Sequence, residues 1–226
     1  MADASTRRSP IRRQVEADHT HVLGAADAVL VLHLSDASAE RDAARTLGLI
    51  DLSVLPKLGI KGPSAEAWLG EQSAPVPTDI YDVTSFDDGS CLVRLGDDEF
   101  FIEQHPAGSR VGGLTSLLSS PVSGVYPVWR EDATFVLTGA SAGEVLAQTC
   151  GVDMDQAVLE RLIMTRVAGV SCSILPQMLG ELSCYRLWLD PSFAASMWET
   201  LTEIVVELGG CAVGAGCVYP ELSADS

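Results

Sequence analysis

The sequence predicts an α+β protein made of two related halves, each running β-α-β-β-α, with a pseudo-two-fold between them. Three observations carry that prediction. First, Lys57-Leu58-Gly59-Ile60-Lys61-Gly62-Pro63 leads into Ser64-Ala65-Glu66-Ala67-Trp68-Leu69. This is a short alternating strand, a Gly-Pro turn and a helix with apolar residues at i, i+3 and i+4. Second, the pattern returns as Phe135 to Leu137, Gly139, Ala142, Val145 and Leu146, always 77 residues after Leu58, Ile60, Gly62, Ala65, Trp68 and Leu69. A constant offset with the apolar pattern kept is the mark of duplication. Third, a pair of strand-like runs follows each copy, and a helix follows each pair.

In chain order, residues 1–18 are polar and basic, and read as a flexible arm. Arg7, Arg8, Arg12 and Arg13 supply four of the 14 basic side chains there, and suit either a solvated terminus or docking to an acidic partner surface. His19 and His21 form a His-x-His pair without a third ligand nearby, which fits a surface or strand pair better than a metal site. Ala28 to Leu34 is a strand with His33 inside it. Ser38 to Leu47 is a helix with Ser38 as N-cap and Gly48 as its stop. In the first copy, Gly62 is placed to cap the helix and Pro63 to open it.

Cys91 to Leu95 and Phe100 to Glu103 form a hairpin over the Gly96-Asp97-Asp98 turn. Residues 107–119 form a helix weakened by Gly112 and Gly113. Tyr126 to Trp129 and Thr134 to Leu137 are strands, and the second-copy helix ends near Cys150-Gly151. Val170 to Leu175 and Cys184 to Leu189 are the second strand pair. From Ser192 to Val206, the residues Phe193, Met197, Leu201, Ile204 and Val205 share one helical face, which makes Met197 and Trp198 core rather than a cofactor box. Cys211 to Val213 closes the fold, and residues 220–226 fray. The expected organisation is an arm over 1–18, one domain over 19–219 holding repeats at about 50–120 and 126–215, and a tail.

Composition narrows the function. The hydrophobic fraction is 47%, as in packed globular chains. The formal net charge of -17 repels nucleic acid and anionic membrane. No apolar run reaches the roughly 20 residues of a membrane helix, and no apolar signal core follows the arginines, so a cytoplasmic protein is expected. Cys91, Cys150, Cys172, Cys184, Cys211 and Cys217 include no Cys-x-x-Cys pair, which suits free thiols in a reducing compartment and argues against zinc. Nucleotide loops, a nucleophile elbow and a metalloprotease helix are all missing, and Val111-Gly112-Gly113-Leu114 is too short for a phosphate loop. The chemically interesting acids are Asp87-Asp88, ahead of the Cys91 strand, and Glu181 after Gly180. The paired aspartates could hold a cationic or amine-bearing ligand or be plain turn residues, and Glu181 reads as a solvated turn acid.

Asp51-Leu52-Ser53, the Lys57–Pro63 strand and turn, and the Ala65–Leu69 helix resemble the start of the aminomethyltransferase of the glycine cleavage system. Arg94 to Phe100 resembles that family's next hairpin, and Thr165-Arg166, Gly180-Glu181 and the Trp198 helix resemble its second half. The resemblance covers roughly residues 50–215 and implies the family's folate-binding-domain fold without its C-terminal barrel. The short chain and its basic Ser-Pro-containing start are similar to the gamma subunit of heterotetrameric sarcosine oxidase. That likeness implies larger partner chains carrying FAD, FMN and NAD, with tetrahydrofolate as one-carbon acceptor in the oxidation of an N-methyl amine. It also implies a chain that is structural rather than catalytic.

Asp87, Asp88 and Glu181 fall where the family contacts folate, but the surroundings differ. Thr84-Ser85-Phe86 precedes the aspartates where the family has paired glycines. Pro176-Gln177-Met178-Leu179-Gly180-Glu181 replaces a Tyr-Thr-Gly-Glu tract whose glutamate meets the pterin. A site stripped of such donors and acceptors loses affinity steeply. The expectation is therefore a non-catalytic subunit with a remnant folate pocket. The alternatives are a stand-alone tetrahydrofolate-dependent aminomethyl or methyl transferase, or a folate-binding assembly or repair factor.

Overall fold

The computed structural model describes residues 7–15, 19–23 and 28–223. Strands β1 (His19–Leu23) and β2 (Ala28–His33) pair as an antiparallel ribbon. Then come α1 (Ala37–Thr46), β3 (Gly48–Asp51), β4 (Lys57–Lys61), α2 (Ala65–Glu71), β5 (Val83–Ser85), β6 (Cys91–Gly96), β7 (Glu99–Glu103), α3 (Arg110–Leu117) and β8 (Tyr126–Trp129). The rest is β9 (Ala133–Thr138), α4 (Ala142–Thr149), β10 (Ile163–Val167), β11 (Val170–Leu179), β12 (Leu182–Leu189), α5 (Ala194–Glu207) and β13 (Cys211–Ala212). Each half adds a strand, β5 or β10, to the expected pattern.

The chain divides into two compact units: residues up to Val54 with Asp132–Leu159 and Ile163 onward, and Leu55–Glu131 with Glu160–Leu162. The first holds a six-stranded sheet ordered β10-β11-β12-β9-β3-β13; the second holds a five-stranded sheet ordered β5-β6-β7-β4-β8. The orders β5-β6-β7-β4 and β10-β11-β12-β9 are the same topology, so the duplication is one of connectivity as well as sequence.

Beside those four strands the two sheets exchange a neighbour. The strand ahead of the first copy, β3, pairs with β9 of the second; the strand ahead of the second copy, β8, pairs with β4 of the first. The turns keep the same exchange. Ser64 N–H donates to Gly124 O at 3.0 Å, and Ser141 N–H donates to Thr46 O at 2.9 Å. Gly62 (φ +120°) and Gly139 (φ +94°) both lie in the left-handed region. A Cβ at Gly62 would stand 2.4 Å from Gly124 O, and one at Gly139 2.6 Å from the Thr46 carbonyl. Glycine is required there by conformation and by close approach together.

The helix starts correct three local expectations. Gly62 and Pro63 occupy the turn, and Ser64 is the N-cap of α2, because the positive φ at Gly62 must be followed by a turn (Ala65 N–H to Gly62 O, 2.9 Å) before helical geometry begins. For α1 the cap is Asp36 rather than Ser38; its Oδ1 accepts from Ser38 N at 3.0 Å and Ala39 N at 2.9 Å. A carboxylate at this end also favours the helix dipole. Residues 220–223, expected to fray, instead form a 3₁₀ turn with Leu222 buried, and 224–226 lie outside the described residues.

The first unit's core joins β9, β11 and β12 to α4 and α5, with Met197 and Trp198 inside it and Trp198 edge-on to Phe135 at 5.2 Å. Ile11 is fully buried in this core. Gln14 Nε2 donates to Glu199 Oε1 at 2.9 Å. Residues 7–15 are thus anchored, where a flexible arm was expected. Burial of the isoleucine contributes about 2 kcal/mol toward anchoring the segment, alongside the packing of Val15 on the same core. The second unit's core packs Trp68, Leu69, Phe86, Phe100, Val111 and Leu114.

Candidate functional site

The Asp87-Asp88 pair lies in the second unit, in the loop joining β5 to β6. The turn forms because Gly89 takes φ +80° and its N–H donates to Phe86 O at 2.9 Å. Asp88 Oδ1 then accepts from Ser90 N at 3.0 Å. Asp88 Oδ2 accepts from Ser109 N at 3.1 Å and Arg110 N at 3.2 Å. Ser109 is the N-cap of α3, yet its own side chain makes no capping bond. Asp88 does that work across 21 residues, supplying the acceptor and the negative charge that a helix N-terminus lacks.

Partial burial on its own would raise the Asp88 carboxyl, but the hydrogen bonds from Ser90, Ser109 and Arg110 outweigh it and hold the group below the ordinary aspartate range. A carboxylate so held is anionic, with most of its acceptor sites filled, and is a poor proton acceptor. Gly108 approaches so closely that a Cβ there would lie 2.6 Å from Asp88 Oδ2. Asp87 is solvent-facing and pairs with Arg110 Nη2 at 2.9 Å. The Arg110 guanidinium also stacks over the Phe86 ring at 4.7 Å. This ring contact and the ion pair hold Arg110 over the turn.

Glu181 lies in the other unit. Leu179 faces Leu182 across β11 and β12, so Gly180-Glu181 is a two-residue hairpin loop, with Gly180 at φ +59°. The first loop residue has the positive φ that such tight turns require. Glu181 is exposed. The two acid positions thus sit on separate units, one as a helix cap with its ion-paired neighbour and one as a loop residue.

Among the described residues no three His, Cys, Asp or Glu side chains gather as a metal site would require; the side chains of His19 and His21 are outside the described set. All six cysteines are free thiols. Burial pushes Cys172, Cys184 and Cys217 up to about 12, so they remain protonated and unreactive at neutral pH.

Two arrangements escape the sequence reading. Glu40, buried on α1, accepts through Oε1 from Leu34 N (2.6 Å) and Ser35 N (2.5 Å), and through Oε2 from Gly214 N (2.9 Å). It ties the start of α1 to the segment after β13. Its sequence signal was weak, since Glu40 stands among Arg41, Asp42 and Arg45 on what looks like a solvated face. The second is in the N-terminal segment. Arg8 and Arg12 line a cavity of about 240 Å³, while Arg13 points to solvent and Arg7 is half-buried.

The architecture, two α+β sheets of matching connectivity, is similar in fold to two solved structures. The crystal structure of glycine cleavage system aminomethyltransferase T from Bartonella henselae matches with a TM-score of 0.73 at 18% identity, covering 95% of this chain and 61% of that one. The chain therefore spans about 61% of the length of that aminomethyltransferase. A chain of the heterotetrameric sarcosine oxidase from Corynebacterium sp. U-96, solved in complex with pyrrole 2-carboxylate, matches with a TM-score of 0.60 at 20% identity, over 77% of this chain and 93% of that one. No protein-family model and no curated protein matches the sequence. No helix among the described residues is long and apolar enough to cross a membrane.

Proposed function

We propose that this chain is a structural, gamma-type subunit of a multi-subunit oxidase that demethylates an N-methylated amine. In this reading FAD, FMN, NAD and tetrahydrofolate are held by larger partner chains in the cytoplasm, and folate accepts the one-carbon unit. The observation that carries it is the sarcosine oxidase match, which takes 93% of that chain but 77% of this one. A fold of this extent therefore makes up nearly a whole subunit of an oxidase complex. The acids support the same reading, because Asp88 is spent on capping α3 and Asp87 on Arg110. Arg7, Arg8, Arg12 and Arg13 carry the docking role in this reading.

The test is affinity capture of the tagged chain from its native extract. Larger flavin-bearing chains at fixed stoichiometry are expected. A colourless eluate without partners overturns the proposal. A second reading, a stand-alone tetrahydrofolate-dependent aminomethyl transferase, draws on the 95% coverage by the aminomethyltransferase match. It requires saturable tetrahydrofolate binding by the purified chain that is lost in Glu181→Gln. An unchanged titration in that variant removes it.

A further inference from the structure

We propose that the cavity under the N-terminal segment is a binding site for a small organic monoanion with an aliphatic body, a short-chain carboxylate in chemical class. The cavity holds about 240 Å³ and is walled by Arg8, Arg12, Val15, Val29, Asp51 and Val54, among others. One wall is held by sequence-local bonds: Ile11 N donates to Ser9 Oγ at 3.1 Å, and Gln14 N donates to Ile11 O at 2.8 Å. With Ile11 buried beneath, Arg8 and Arg12 both line the cavity. The facing wall comes from β2, whose Val29 is partly exposed.

The charge count sets the ligand's charge. Two guanidiniums and one carboxylate, Asp51, leave the lining with one net positive charge. Asp51 is partly committed, since its Oδ1 accepts from Ser53 N at 3.0 Å. Arg8 and Arg12 form no ion pair among the described residues, in a chain whose formal net charge is -17. A carboxylate can accept two parallel hydrogen bonds from a guanidinium fork. The valines supply the other half of the recognition, removing an aliphatic body from water at about 25 cal/mol per Å². Size sets the upper limit: a volume below the roughly 300–1,000 Å³ of drug-sized sites excludes a folate, a flavin or a dinucleotide. The site is therefore separate from the folate chemistry of the related folds, and it does not depend on the subunit role proposed above.

The experiment titrates the full chain, with ¹³C-labelled valine methyls, using hexanoate as probe and neutral hexanamide as control. Saturable shifts at Val29 and Val54 are expected, with the Arg8→Gln/Arg12→Gln variant and the hexanamide control each weaker by about tenfold or more. Val54→Phe fills the cavity while leaving both arginines in place, and is expected to abolish the shifts with the thermal midpoint retained. This second variant decides the matter if the double arginine variant fails to fold. Shifts that do not saturate by about 10 mM, a binding free energy of only about 3 kcal/mol, overturn the proposal. So does equal binding in wild type and either variant, or equal binding of hexanamide.

Discussion

The two sheets are built on one plan and differ where they meet the same cross-strand position. In the second unit, Lys57 of β4 faces Glu103 of β7; in the first, Thr134 of β9 faces Trp188 of β12. The neighbouring pairs correspond one to one, Leu58–Ile102 with Phe135–Leu187 and Ile60–Phe100 with Leu137–Tyr185. Those core-facing pairs stayed largely apolar after duplication, while the pair beside them became charged in one copy and neutral in the other. Lys57 Nζ lies 3.3 Å from Glu103 Oε2 with both side chains buried, and donates to Leu55 O at 3.0 Å. The fold thus tolerates either solution there, provided the pair is internally matched.

The largest expected effect breaks that match. Lys57→Met leaves a buried carboxylate without its cation and should cost about 3–5 kcal/mol in urea unfolding, whereas the double variant Lys57→Met/Glu103→Leu should return close to wild type. Thr134→Val, at the corresponding position of the other sheet, strands no charge and should cost only about 1 kcal/mol, the central value for point substitutions. If the single and double variants are equally destabilised, the pair is not the unit of matching and the comparison fails.

A smaller effect separates the two helix starts, α3 and α5. Asp88 caps α3 from a distant loop, while Asp190 accepts from Ser192 N at 2.8 Å just ahead of α5. Asp88→Asn should cost about 1 kcal/mol, the usual worth of a cap. Because the folded Asp88 carboxyl sits below its unfolded value of 3.8, its contribution is present above that value. It is lost as pH falls through the still lower folded pKa. Wild type should therefore lose stability on acidification below about pH 4 more steeply than Asp88→Asn. Fully solvated Asp190 is lowered by its bonds to Ser192, and Asp190→Asn should change the acid limb less. Matching unfolding curves at pH 3 and pH 6 would read both.

These contrasts also mark what the sequence could reveal. The strand, turn and helix of each copy were legible because their signals are local: alternation, a glycine forced to positive φ, and i, i+3, i+4 spacing. The exchange of β3 and β8 was not, since it depends on which distant edge each short strand meets, and four-residue strands carry no record of their partner. Asp88 was picked out as a chemically interesting acid, but its donors Ser109 and Arg110 lie 21 and 22 residues away, so its capping task was invisible. Ile11 was a lone apolar residue in a basic stretch, with no periodicity to announce that it enters the core.

The exchange yields the smallest stability effect and the sharpest functional one. The corresponding strands β3 and β8 have opposite fates. In the first unit β3 is covered on its far side by β13 and is largely buried, whereas β8 is the outer strand of its sheet, with Tyr126 58% and Trp129 71% exposed. Pro127 lacks an N–H, which discourages indiscriminate strand addition along this edge. Exposed aromatic pairs of this kind are the residues that dominate protein interfaces. Trp129→Ala should leave stability within about 0.5 kcal/mol, as for other surface substitutions. If the chain is the subunit proposed, the same variant should retain less of the flavin-bearing partner in affinity capture. Full retention would place the docking surface elsewhere and leave β8 as an exposed edge without that role.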